Sequence, residues 1–236
     1  MRRLAVALPL ALLAVPAGAQ AAQVTTDRAC YLQTKSTTVT VNGTGFGAGR
    51  PYTVTLDGTA LAGGGATTDA NGAVQGAIPP PALDATEMQR MFKVGVQSDD
   101  LAAETLFTVT RFAADFTPST RVAPTSRVRF SVYGFGLAAP NPDVYLHYVS
   151  PAGRLRTTVR LGRAQGQCGS IARTARRRLF PFAAPGRGKW QLQFDTSKTY
   201  RRGVKGSSFL FYTVGVDVRA ARRSLAQGLV PAVPQG

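Results

Sequence analysis

The feature that most constrains this chain is an apolar alternation of period two, recurring in short runs through most of its length. In "STTVTVNG" Val39 and Val41 fall on one side, with Thr38, Thr40 and Asn42 on the other. "PYTVTLDG" aligns Tyr52, Val54 and Leu56 in the same way, and "FKVGVQS" and "TLFTVTRF" supply further runs. Successive residues of an extended chain point to opposite faces, so each run reads as a strand with one face to bury. Between the runs lie turn signals: Asp57-Gly58, Gly63-Gly64-Gly65 and Asp69-Ala70-Asn71-Gly72. Short strands at close spacing predict an all-β fold of antiparallel sheets.

The pattern then restarts. Gly45-Phe46-Gly47 matches Gly134-Phe135-Gly136 at an offset of 89 residues, which puts Val39 and Val41 on Val128 and Phe130. The ends of the two halves also correspond, "LFTVT" at 106–110 with "LFYTVGV" at 210–216. A self-similar unit of about 90–100 residues predicts two tandem β-sandwiches. Their expected bounds are 22–110 and 111–220, with a short join. In the second, Trp190, Leu192 and Phe194 are expected in the core, and Phe180 and Phe182 at one end.

The stretches "VTVNGTGFGAGRPYTVTLDGT" and "TTDANGAVQGAIPPPAL" carry a resemblance to the tandem immunoglobulin-like domains of secreted actinobacterial proteins. In that group a Gly-x-Gly-Phe turn joins two strands, and an Asp-x-Asn-Gly turn precedes a strand ending in Pro. The second half, with "VYLHYVSPAGRL", "CGSIARTARRRLFPF" and "GKWQLQFDTSKTY", resembles a more divergent member. The resemblance implies architecture. Such domains serve as spacers, adhesion modules or binders, so it does not select among these roles.

The first residues, "MRRLAVALPLALLAVPAGAQAAQ", read as a secretory signal peptide over 1–21. Arg2 and Arg3 precede an apolar stretch from Leu4 to Val15 that is too short to span a bilayer, and small residues follow at the cleavage sites. The expected destination is outside the cell or the cell wall, with no membrane span. The Ala-, Gly- and Pro-rich segment 221–236 is expected to be a flexible tail. Two cysteines, Cys30 and Cys168, are expected to pair in that oxidising setting. The long loop so closed would constrain the unfolded chain by about 4–5 kcal/mol. The alternative is two separately buried thiols.

The residues do not assemble a familiar catalytic motif. A dinucleotide fingerprint starting at Gly43 needs a third glycine where Ala48 stands, followed by a helix; here the strand "RPYTVTL" follows. The one histidine, His147, lies in an alternating run and is expected on a strand at or near a surface. A metal site built on it lacks a second histidine, and a serine triad lacks a nucleophile motif. A dyad of Cys168 and His147 is the sharpest enzymatic option, but "QGQCGSIA" lacks the context of the wall transpeptidases. Asp69 and Asn71 before Gly72 read as a hairpin turn, since a calcium loop would need a glutamate where Ile78 stands. No cofactor and no metal is expected.

Charge is the informative property. Residues 22–111 carry six Lys/Arg against eight Asp/Glu, whereas residues from 112 onward carry twenty against four. Arg127 and Arg129 alternate with Val128 and Phe130, where the first half has Thr38 and Thr40. Arg154, Arg156 and Arg160 share one parity, with Leu155, Val159 and Leu161 on the other. Arg176, Arg177 and Arg178 form a third cluster ahead of "LFPF". These eight arginines are the candidate binding residues for an anionic cell-envelope polymer. Few aromatics interleave with them, so sequence-specific nucleic-acid recognition is not expected. The expected protein is thus a non-enzymatic, monomeric envelope module that binds an anionic polymer or another exported protein. The alternatives are a spacer without a ligand, a chain whose basicity serves only solubility, and the cysteine–histidine enzyme.

Overall fold

The computed structural model describes residues 21–219 except 35, 100, 120–122 and 138. The signal segment up to residue 20 and the tail 221–236 lie outside the described residues. Eight strands come first: β1 (Gln23–Thr26), β2 (Cys30–Leu32), β3 (Val39–Thr44), β4 (Pro51–Leu56), β5 (Thr59–Thr67), β6 (Val74–Ile78), β7 (Gln89–Ser98) and β8 (Leu101–Thr110). Seven follow: β9 (Ala113–Thr117), β10 (Arg127–Tyr133), β11 (Asp143–Val149), β12 (Leu155–Arg163), β13 (Arg177–Arg178), β14 (Gly188–Asp195) and β15 (Phe211–Val218). The only helical element among the described residues is the single 3-10 turn Phe135–Leu137. No helix there is long and apolar enough to cross a membrane.

Strand order repeats as the sequence does. In the second half β9-β10-β13 form one sheet and β12-β11-β14-β15 another. The first, second and fifth strands thus share a sheet, and the fourth, third, sixth and seventh share the other. That is the immunoglobulin-like order. The first half gives β1-β3-β6 and β2-β8-β7-β4-β5. It is the same order with one addition, β2, which runs parallel to β8 with Cys30 opposite Thr108. The chain is therefore all-β, and the fold class is two tandem immunoglobulin-like sandwiches.

By proximity of the backbone the described chain gathers into two compact units. One holds the residues up to Thr25, Val41–Gly76 and Val94–Thr105; the other holds Thr26–Thr40, Ala77–Lys93 and the chain from Leu106 on. In the first, the Gly-Phe-Gly turn follows β3. Gly45 has φ of 80° and Phe46 is buried. The turn at 69–73 is built by Asp69, whose Oδ1 accepts from the amides of Asn71 and Ala73 at 2.8 and 2.7 Å. Gly72, at φ of 72°, accepts from the Phe46 amide at 3.2 Å, and a Cβ on Gly72 would run into the Phe46 carbonyl. The two glycine motifs are therefore halves of one brace, which is why both are needed.

The second unit contains the same brace built from different residues. Gly134 has φ of 80°, matching Gly45, and Phe135 is fully buried. Here the partner is Cys168-Gly169. The amides of Phe135 and Gly136 donate to the carbonyls of Gly169 and Cys168 at 3.1 and 2.9 Å. Gly169 has φ of 63°, and its missing Cβ is what lets Gly136 approach. The core above this brace joins both sheets: Phe130 of β10 meets Phe194 of β14 with ring centres 6.1 Å apart. Trp190, Leu192 and Phe194 are buried as expected, and Phe180 packs beside them. Phe182 lies half-buried at the edge, with its ring 5.4 Å from that of Trp190.

Candidate functional site

Cys30 and Cys168 are joined as a disulfide with Cα atoms 5.2 Å apart. The pairing expectation holds, and the structure leaves no thiol for a Cys168–His147 dyad. Nearby polar groups fix the same loop. Thr108 donates to Gln167 at 2.8 Å, and Ser170 donates to Gln89 at 2.6 Å. On a different segment, the Arg111 guanidinium caps the carbonyls of Leu83, Asp84 and Ala85. The bond between the cysteines is consistent with an extracellular protein, since disulfides persist mainly in oxidising compartments.

His147 corrects a second expectation. It lies on β11, but it is fully buried, because the connection from β14 to β15 folds back over that face. Its Nε2 lies 3.1 Å from the Ser197 carbonyl and 3.2 Å from Asp195 Oδ1. A carbonyl only accepts, so Nε2 carries the proton, and Nδ1 can accept from the Thr158 hydroxyl at 2.8 Å. Asp195 also takes the Ser197 amide at 2.8 Å and the Gln193 side-chain amide at 2.8 Å. Gln193 in turn bonds the Arg201 carbonyl and the Gly203 amide. The histidine is thus the hub of a satisfied buried network that pins residues 196–203 to the sheet. Among the described residues, no cluster of three or more His, Cys, Asp or Glu side chains could hold a metal ion.

The candidate arginines distribute over one sheet face, one edge and one end of the second unit. Arg127 and Arg178 sit directly opposite each other across β10 and β13, both exposed. Arg129, half-buried, donates to the Thr174 carbonyl at 3.1 Å, and its Nε is buried without a partner. Arg177 reaches across to the Arg160 carbonyl at 3.3 Å, which links the β13 edge to β12. Arg160 is exposed and paired with Asp143 at 2.7 Å. That hydrogen bond holds the Asp143 carboxyl below its ordinary range. Arg176 is exposed ahead of β13.

Arg154 and Arg156 do not follow simple alternation. Tyr148 faces Thr157 and Val149 faces Leu155, so Arg156 is an inserted residue, a bulge in β12. The extra residue reverses the parity before it, and Leu155, expected inside, is turned out to 42% exposure. Arg156 now lies over the ring of Phe182, 5.8 Å from its centre. The bulge, the turn 150–154 and the segment 182–187 surround a cavity of about 530 Å³. Across the same turn a second depression of about 330 Å³ carries Lys189 and Arg202. Composition pointed to the arginines of this end but not to the groove. Its apolar floor comes from Leu155, which the bulge exposes, from Phe182, expected at one end of the sandwich, and from Pro185.

The carboxylates of the second half explain why so much charge is left over. Asp143 and Asp217 pair with Arg160 and Arg219, Asp195 serves His147, and Asp115 accepts from the Phe116 amide. Arg127, Arg154, Arg156, Arg176, Arg178 and Arg187 have no carboxylate partner among the described residues.

No family model matches the sequence, and no curated protein matches it. Among solved structures the chain is similar to the "D0-D1 domain of Intimin", at 15% identity over 75% of this chain and 91% of that one. The TM-score is 0.31. A likeness of that size says nothing about function, and the immunoglobulin-like class rests here on the strand order.

Proposed function

We propose that this protein is a non-enzymatic binding module of the cell envelope, exported by the signal segment 1–21, whose second domain (111–220) holds an anionic polymer. The first domain (22–110) acts as its carrier. One observation carries the reading: the second half keeps a set of exposed arginines that none of its carboxylates neutralises. Arg127 and Arg178 stand directly opposite each other on adjacent strands, an arrangement that costs stability without a counterion. An anionic chain crossing β10 and β13 and passing round the β12 edge would remove that cost. Guanidinium groups suit carboxylate, sulfate and phosphate oxygens alike.

The test is co-sedimentation of the mature protein with purified cell walls. Binding is expected at low salt and should fall steeply as salt rises, because exposed charges are screened within about 10 Å at 0.1 M. Replacing Arg127 and Arg178 with alanine together should weaken wall binding several-fold. No sedimentation at low salt, or sedimentation indifferent to salt, overturns the proposal. A stable complex with another exported protein in its place would favour a spacer or accessory role.

A further inference from the structure

We infer that the groove bounded by the bulge at Arg156 is a discrete site for an acidic saccharide, in which one or more sugar rings carry a carboxylate. This inference rests on the anionic-polymer reading and gives it a seat of recognition. The cavity volume, about 530 Å³, lies in the range of small-ligand sites. Its lining contains three arginines, Arg154, Arg156 and Arg187, and no carboxylate. All three are exposed, and none has an acidic partner among the described residues. Such a lining selects against cations and, lacking an acid, a histidine or a thiol, offers binding rather than general acid–base chemistry.

The rest of the lining supplies what charge alone does not. Leu155, Phe182 and Pro185 present an apolar surface beside the guanidinium groups. A pyranose ring has an apolar C–H face and polar substituents at its rim, so it can lie on that surface while its carboxylate meets a guanidinium fork. A nucleic acid would ask for exposed aromatic faces, and here Trp190 is 2% exposed while Phe182 is half-buried.

The groove is also shaped in advance. Ala184 holds a φ of 46°, a region that a residue with a side chain adopts only under constraint. The indole of Trp190 donates to the Gly186 carbonyl at 2.7 Å and fixes the segment bearing Arg187. Gly188 lies so close to Pro151 that a Cβ there would stand 2.9 Å from its ring. The opposing turn is closed by hydrogen bonds between Ser150 and Arg154 at 2.8 and 3.1 Å. A bulge that re-aims one side chain is a device found beside binding sites, and this one turns out Leu155 and sets Arg156 on Phe182.

The experiment is calorimetric titration of the mature protein with an α-1,4-linked galacturonate tetrasaccharide, and with maltotetraose as a neutral control. Saturable binding at one site is expected for the acidic sugar and none for the neutral one. R154A and R187A should each weaken it about tenfold, the size of one lost charged hydrogen bond. R156K keeps the charge but loses the planar fork, and should fall between R156A and the parent. R127A with R178A should leave the tetrasaccharide affinity within about twofold while weakening wall binding. Unchanged thermal midpoints identify the variants in which folding is intact. Equal binding of maltotetraose, equal binding of single-stranded DNA, or indifference to R154A and R187A overturns the saccharide site. If the walls bind and the tetrasaccharide does not, the groove inference fails and the polymer reading stands. If the tetrasaccharide binds and the walls do not, the reverse holds.

Discussion

Gly169 shows how one residue can carry several duties. It accepts the Phe135 amide, follows the cystine, and holds a φ of 63° against Gly136. Gly166 lies three residues earlier, at φ of 74° with open space where its Cβ would be. The pair separates two costs. Gly166→Ala should cost about 1 kcal/mol for the left-handed conformation alone. Gly169→Ala should cost at least about 3 kcal/mol, since the added methyl also meets backbone. Urea midpoints of the two variants check this; equal losses would mean that the close approach is unimportant. The sequence announced the Gly-Phe-Gly turns through their repetition. It did not announce their partners, because Gly72 and Gly169 sit in unlike stretches, "DANG" and "QCGS". A brace between backbones leaves little trace beyond a glycine.

At the scale of elements, period-two reasoning placed the strands of the second core well. Val128, Phe130, Leu146, Leu192 and Phe194 are all fully buried. It failed at β12, where one inserted residue reversed the parity, and at β11, where an outward position was covered by later chain. Both failures have the same origin. Alternation tells which residues share a face, but not where a strand bulges or what folds over it. The segment 196–203 depends on one carboxylate, Asp195, which serves His147, Gln193 and the Ser197 amide. Asp195→Ala should leave the Ser197 amide and one Gln193 N–H unsatisfied in a buried site, with His147 keeping only the Ser197 carbonyl at Nε2, and cost about 2–4 kcal/mol. Amide exchange should rise first at Ser197 and Gly203, ahead of the β14 core. Exchange that rises uniformly would show that the network does not hold the segment independently.

For the whole molecule, the uneven charge was legible because it needs only counting, and the strand order bore out the internal repeat. The groove was not legible, since its walls come from residues 150–156 and 182–190, brought together only by the pairing of β11 with β12 and β14. Charge on the first half is nearly balanced while the second half carries twenty Lys/Arg against four Asp/Glu, so added salt should raise the thermal midpoint by screening that self-repulsion while it weakens attachment to a polyanion.

The cystine has a mechanical meaning. A pull applied to β1 and β15 would travel through Cys30 and Cys168, and the residues enclosed by that bond, a separation of 138, would never feel the tension. Under load the oxidised chain can surrender only the stretches outside the loop. Reduction should release the enclosed length, about 3.3–3.6 Å for each residue when fully drawn out. Optical-tweezer traces with and without a reductant would register that extra extension, and its absence would mean that the bond does not form in the folded protein. A chain built this way keeps most of its length in reserve behind a single covalent lock.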